Sequence, residues 1–176
     1  MKIFFLPFYL TAGAVSLWCL ACGFYDLTQR RLPNLLTLGM HVPALAVLVI
    51  AGEGFLGASI TSCLLAWAAA LVLTLPAYAF NWLGAGDAKF LAAIGLLTGL
   101  KFLFVTYIIA ALTTGLVILI WLSLQRYWPF VNLQLSSLNL RLPDIPLLRG
   151  KILPFGAILA LSAIITLMLP HLWEAA

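Results

Sequence analysis

The chain has 176 residues, of which 65% are hydrophobic and only 8% charged, with nine basic and five acidic side chains giving a formal charge of +4. A soluble domain carries about a quarter charged residues, so this composition, with a mean hydropathy of +1.16, excludes one and implies an all-α polytopic membrane protein. The basic residues are scattered over several loops instead of forming one stripe, which argues against nucleic acid as a partner. A single transmembrane domain over 1–176 is expected, with no separate soluble domain, so any chemistry must sit on the helices and their short loops.

Apolar runs of about twenty residues are long enough to cross a hydrocarbon core of roughly 30 Å. The first is expected at Ile3–Phe24. Lys2 ahead of it resembles the start of a secretory signal, but the run exceeds the 7–15 residues of such a segment and cleavage near Ala21 would leave a chain starting almost at Asp26, so an uncleaved span is the reading adopted. Within it, Cys19 and Cys22 form a single C-x-x-C pair. Two further ligands for zinc are lacking, and small apolar filler is the better account.

Arg31-Leu32-Pro33-Asn34 then stops one helix and starts the next, because proline disfavours helical geometry in the residue before it and Asn34 can cap the second span. Arg30 and Arg31 are expected to meet anionic headgroups. The second span is placed at Leu35–Ala51, with His41 expected to be hydrogen-bonded inside the bundle, and the third at Phe55–Phe80, kinked at Pro76. Gly84-Ala85-Gly86-Asp87 punctuates the chain again, with Asp87 as helix N-cap and Lys89 in the first turn of a fourth span, Ala88–Leu100. Thirteen residues at 1.5 Å each reach only about 20 Å. Joining this span to the fifth, Phe102–Leu124, would make one over-long helix, and Thr98-Gly99-Leu100-Lys101 supplies a break. Gln125–Lys151 is expected to be a loop, either mobile or lying on the membrane through its leucines, and Ile152–Leu172 is the sixth span. Trp18, Trp67, Trp82, Trp121, Trp128 and Trp173 are expected to face lipid or the interface.

With six spans, the loops after the first, third and fifth carry Arg30, Arg31, Lys89, Arg126, Arg141, Arg149 and Lys151, against Lys2 and Lys101 on the other side. The positive-inside rule then puts those loops in the cytoplasm and both termini outside, in an inner (cytoplasmic) membrane. Asp26 and Asp87 arrive at the same cytoplasmic edge.

Each of these aspartates has an ordinary reading alone: Asp87 as a cap, Asp26 as a counter-charge to Arg30 and Arg31. Together they can share a proton, because two carboxylates a few ångströms apart in a poorly solvated site do not both ionise. That is the equipment for hydrolysing a peptide bond without metal or covalent intermediate, and no cofactor is expected. Gly84 and Gly86 leave room for backbone and an extended substrate beside Asp87. Lys89 is a candidate for positioning substrate or biasing the pair. Glu53, Asp144 and Glu174 carry no partner signal, and His171 is expected to be solvated near the outer end.

The segment Gly84-Ala85-Gly86-Asp87-Ala88-Lys89 resembles the GxGD segment of the type IV prepilin peptidases, which are intramembrane aspartyl proteases. Tyr25-Asp26 through Pro33-Asn34 is similar to that family's first catalytic segment, and Pro154-Phe155-Gly156-Ala157 to the start of its last helix. The resemblance implies that Asp26 and Asp87 are catalytic. It implies as partners the basic leader peptides of prepilin or pseudopilin precursors, cut at the cytoplasmic face, together with membrane lipid; self-association is left open. The family's long members carry two C-x-x-C pairs in an insertion after the first helix. Only Leu27 to Pro33 stands there in this chain, so a short, peptidase-only form is expected. The alternatives are a preflagellin-type or other GxGD peptidase and, from another class, a small proton- or cation-coupled transporter, which would place its acids at mid-membrane depth.

Overall fold

The computed structural model describes residues 5–81, 83–136 and 153–173. These form seven α-helices: α1 (Phe5–Gln29), α2 (Asn34–Thr37), α3 (His41–Ala51), α4 (Ile60–Ala79), α5 (Ala85–Thr98), α6 (Leu100–Ser136) and α7 (Phe155–Met168), followed by a 3-10 turn at Pro170–Leu172. Among the described residues, four stretches are long and apolar enough to cross a membrane: Tyr9–Gln29, Asn34–Ala51, Ile60–Ala79 and Leu100–Phe130. With the shorter α5 and α7, each of 14 residues, they make an all-α polytopic membrane protein.

The short helix α5 is the hub. Phe90 through Thr98 are all buried. It packs most extensively against α4 and also touches α2, α3, α6 and α7. Small residues allow this crowding: a Cβ added at Gly95 would lie 2.9 Å from the backbone carbon and oxygen of Ala66, so the two helices approach nearly backbone to backbone. α5 ends where expected, at Gly99, whose φ of +88° is a conformation that side-chain-bearing residues rarely adopt. That single residue turns the chain into α6.

Three expectations are corrected here. The fifth span does not stop at Leu124: α6 continues to Ser136, taking in Pro129 and the first part of the segment expected to be a loop. The ring of Pro129 removes one backbone hydrogen bond but has a helix-compatible φ, so an otherwise helix-forming run absorbs it. The second span is interrupted between α2 and α3, and the indole Nε1 of Trp18 donates to the Leu36 carbonyl at 2.9 Å near that interruption. Trp18 is therefore buried, with its ring edge-on to Phe90 at 5.0 Å, instead of facing lipid. Trp173 is likewise buried, donating to the Thr166 carbonyl at 2.9 Å and lying edge-on to Phe102. His41 is hydrogen-bonded inside the bundle as expected, with Nδ1 2.9 Å from the Thr37 carbonyl. Lys2, Trp82, Arg141, Asp144, Arg149, Lys151 and Glu174 fall outside the described residues.

Candidate active site

Asp26 lies in the last turn of α1 and is 5% exposed. The chain reverses just after it, with Arg30 in the left-handed region at φ 52° and its N–H donating to the Asp26 carbonyl at 2.9 Å. Pro33 starts α2 as its N-cap. Asn34 is thus the first residue of the helix and not its cap; its side-chain oxygen instead accepts from Nζ of Lys89 at 2.9 Å.

Asp87 also sits one step away from its expected role. The N-cap of α5 is Gly84, and Asp87 occupies the third helical position, reaching back so that Oδ2 accepts the Gly84 N–H at 3.1 Å. This is the carboxylate half of a capping box, and glycine supplies no side chain to return the bond. Gly86 is required for packing: a Cβ there would lie 2.9 Å from that of Leu32, so the first turn of α5 rests directly on the segment between α1 and α2. Its missing side chain admits Leu32, in addition to bordering the open space beside Asp87.

The two carboxylates meet at a third element. Gly156, in the first turn of α7, is buried against both: a Cβ built on it would stand 2.9 Å from Oδ1 of Asp87 and 3.0 Å from Oδ2 and Cγ of Asp26. The N–H of the next residue, Ala157, donates to Oδ2 of Asp26 at 2.9 Å. Two acids separated widely in sequence therefore converge on one point, each with a backbone N–H fixing one oxygen. Gly156 and Ala157 are not among the residues that the sequence marks as catalytic. The Pro154-Phe155-Gly156 helix start was the one local signal at that position, and nothing in it says what the helix faces.

A cavity of about 650 Å³ opens on this point. Its walls include Asp26, Asp87, Gly84, Gly86 and Lys89, so the structure brings all five sequence-selected residues to one place. Arg30 and Arg31 also line it, although the sequence reading assigned them to lipid headgroups. Leu73, Thr74 and Ala77 of α4 and Tyr107, Thr114 and Ile118 of α6 supply a largely apolar side. A partly polar mouth with a carboxylate pair and an apolar flank is suited to acid–base chemistry on a segment that is itself apolar.

Comparison with family models matches residues 13–120 to the type IV leader peptidase family. No curated protein and no solved structure matches the chain. The matched stretch covers more than half of the sequence and includes both aspartates, the larger part of α1 and all of α5, whose convergence leaves a carboxylate pair beside a cavity. This membrane protein belongs to the type IV leader peptidase family, and its activity is that of a peptidase.

Proposed function

We propose that the protein is an aspartyl endopeptidase of the inner membrane that removes the basic leader peptide from prepilin-like precursors at the cytoplasmic face. The observation that carries this reading is the convergence of Asp26 and Asp87 on Gly156, with both acids lining the cavity. One carboxylate, anionic, takes a proton from water as the water oxygen bonds to the scissile carbonyl carbon. The other, protonated, gives its proton to the carbonyl oxygen. In the resulting gem-diol the carbon–nitrogen bond breaks as the first acid passes its proton to the leaving nitrogen and a gem-diol hydroxyl returns one to the second. The pair ends with the single proton it began with. Supporting the cytoplasmic assignment is the excess of basic residues in the loops that flank the two aspartates, and under the positive-inside rule both termini then lie outside.

The position of the acids, in the last turn of α1 and the first turn of α5, favours this over a transporter with acids at mid-depth. The test is cleavage of a pilin-like precursor co-expressed in membranes with the wild-type chain, Asp26→Asn or Asp87→Asn, at matched protein levels. Cleavage by the wild type and loss in both variants is expected. Equal cleavage by either variant overturns the assignment, and no cleavage by any of the three, including with a preflagellin-like precursor, returns the transporter reading.

A further inference from the structure

The two carboxylates are delivered by α1 and α5, but the space between them is set by α7. Gly156 is the one glycine of that helix, and a Cβ on it would come within 2.9–3.0 Å of three carboxylate atoms belonging to both acids. Such a separation is shorter than ordinary van der Waals contact between carbon and oxygen, and the neighbours are not flexible chain ends: Asp26 is held by the Ala157 N–H and Asp87 by the Gly84 N–H. A methyl group there must shift at least one carboxylate, or the turn that faces it, by a fraction of an ångström.

We infer that the first turn of α7 is the spacer of the site: Gly156 is a positioning residue whose missing side chain lets the two carboxylates approach, and the Ala157 N–H is the peg that orients Asp26. The inference rests on the two-aspartate reading and adds to it a third element. The segment that carries it, Pro154-Phe155-Gly156-Ala157, lies beyond the matched residues 13–120, and the spacer role is argued from the geometry of that turn. Gly156 acts through the aspartates and touches no reacting atom. The helix is well suited to the task, because α7 is held broadly against α1 and also against α6, so its first turn is a rigid wall. The N–H of Ala157 lies in that first turn, where intrahelical partners are lacking, and is available for this use.

The consequence is in proton sharing as well as distance. Among the described residues, the other charged or titratable groups around the cavity are Arg30 and Arg31 after α1, Lys89 on α5 and Tyr107 on α6; α4 and α2 bring none to its lining, and α7 contains none. A methyl at position 156 leaves those groups in place and acts on the two carboxylates, whose coupling it reduces. When two acids interact less, the acid and alkaline limbs of a profile that requires one shared proton move toward each other. Gly156→Ala should therefore lower kcat by about tenfold or more with KM unchanged, as expected when reacting groups are displaced by a fraction of an ångström, and should narrow the pH profile of cleavage. Ala157→Pro removes the N–H while leaving Gly156, and proline is tolerated in a first helical turn; it should reduce kcat in the same way and serves if Gly156→Ala does not accumulate. Ala160→Val is the control for packing alone, since Ala160 meets Gly23 of α1 one turn further along, away from the carboxylates.

The experiment is steady-state cleavage of a purified precursor in detergent across pH by these three variants, beside Asp26→Asn and Asp87→Asn. Lower kcat and a narrowed profile for Gly156→Ala, or for Ala157→Pro where Gly156→Ala does not accumulate, with a profile of wild-type width for Ala160→Val, supports the spacer. Wild-type kcat and profile in Gly156→Ala, or in Ala157→Pro where Gly156→Ala does not accumulate, while both aspartate variants are dead overturns the spacer and leaves the peptidase reading standing. Equal narrowing in Ala160→Val reduces it to helix packing and overturns it as well. Activity in either aspartate variant removes both.

Discussion

Lys89 illustrates how a side chain at the site can be structural. Its ammonium donates to Asn34 across the gap between α5 and α2, and the bond is exposed, so its net contribution is about 0.5–1.5 kcal/mol at most. Lys89→Met and Asn34→Ala should each lower thermal stability slightly, and the double variant should cost little more than either single one, a double-mutant cycle being the measurement. Gly86 is the stiffer case. With Leu32 Cβ at 2.9 Å from where its own would lie, Gly86→Ala is expected to cost about 1–3 kcal/mol of overpacking, read as a lower unfolding temperature in detergent. Trp18→Phe keeps the edge-on contact with Phe90 but removes the indole donor to Leu36. Leaving that carbonyl without its partner should cost about 1–3 kcal/mol by the same assay.

Among the elements, α5 and α6 divide the labour differently from what their lengths suggest. α5 is too short to span, yet it is the most enclosed helix, because small residues let α4 press close and because its first turn carries Asp87. α6 is longer than the membrane needs: 37 residues at 1.5 Å extend about 55 Å, against a core of roughly 30 Å. Its last turns must therefore leave the hydrocarbon. In a chain whose native cysteines are replaced by alanine, a cysteine at Leu133 should react with a membrane-impermeant maleimide in inverted vesicles, whereas one at Leu116 should not, although both leucines are exposed on the helix surface. Equal protection of both positions would place the whole of α6 within the bilayer.

At the scale of the molecule, the carboxylate pair is a tertiary product. α1 contributes one acid, α5 the other, and α7 the wall against which they meet, so the site forms only when all three are docked. If the pair works with one proton, cleavage by the wild type must fall on both the acid and the alkaline side of an optimum. A rate that stays flat over the range in which the helices remain folded would count against proton sharing. Destabilising α7 should abolish activity before it unfolds the bundle, because α4 and α5 remain packed together without it.

Composition and local chemistry were enough to settle the class of the fold and to pick out the two acids. Long apolar runs admit little besides membrane helices, and carboxylates are so costly beside hydrocarbon that Asp26 and Asp87 stand out from their surroundings. The turn at Gly99 was legible for the same reason, since that break depends on local chemistry. Whatever depends on which residues face one another needed the packed bundle. Trp18 and Trp173 have the composition of interfacial residues and are buried, because their ring nitrogens find backbone carbonyls inside the bundle. Asp87 has the look of a cap and is the third residue of its helix, since Gly84 caps it and Ala85 begins it. Gly156 belongs to a helix-start segment that resembles the family's, but no residue there names what the helix faces, and its role emerges only where α7 meets α1 and α5. A glycine's contribution is the space it leaves, and that space is defined by atoms far away in the chain.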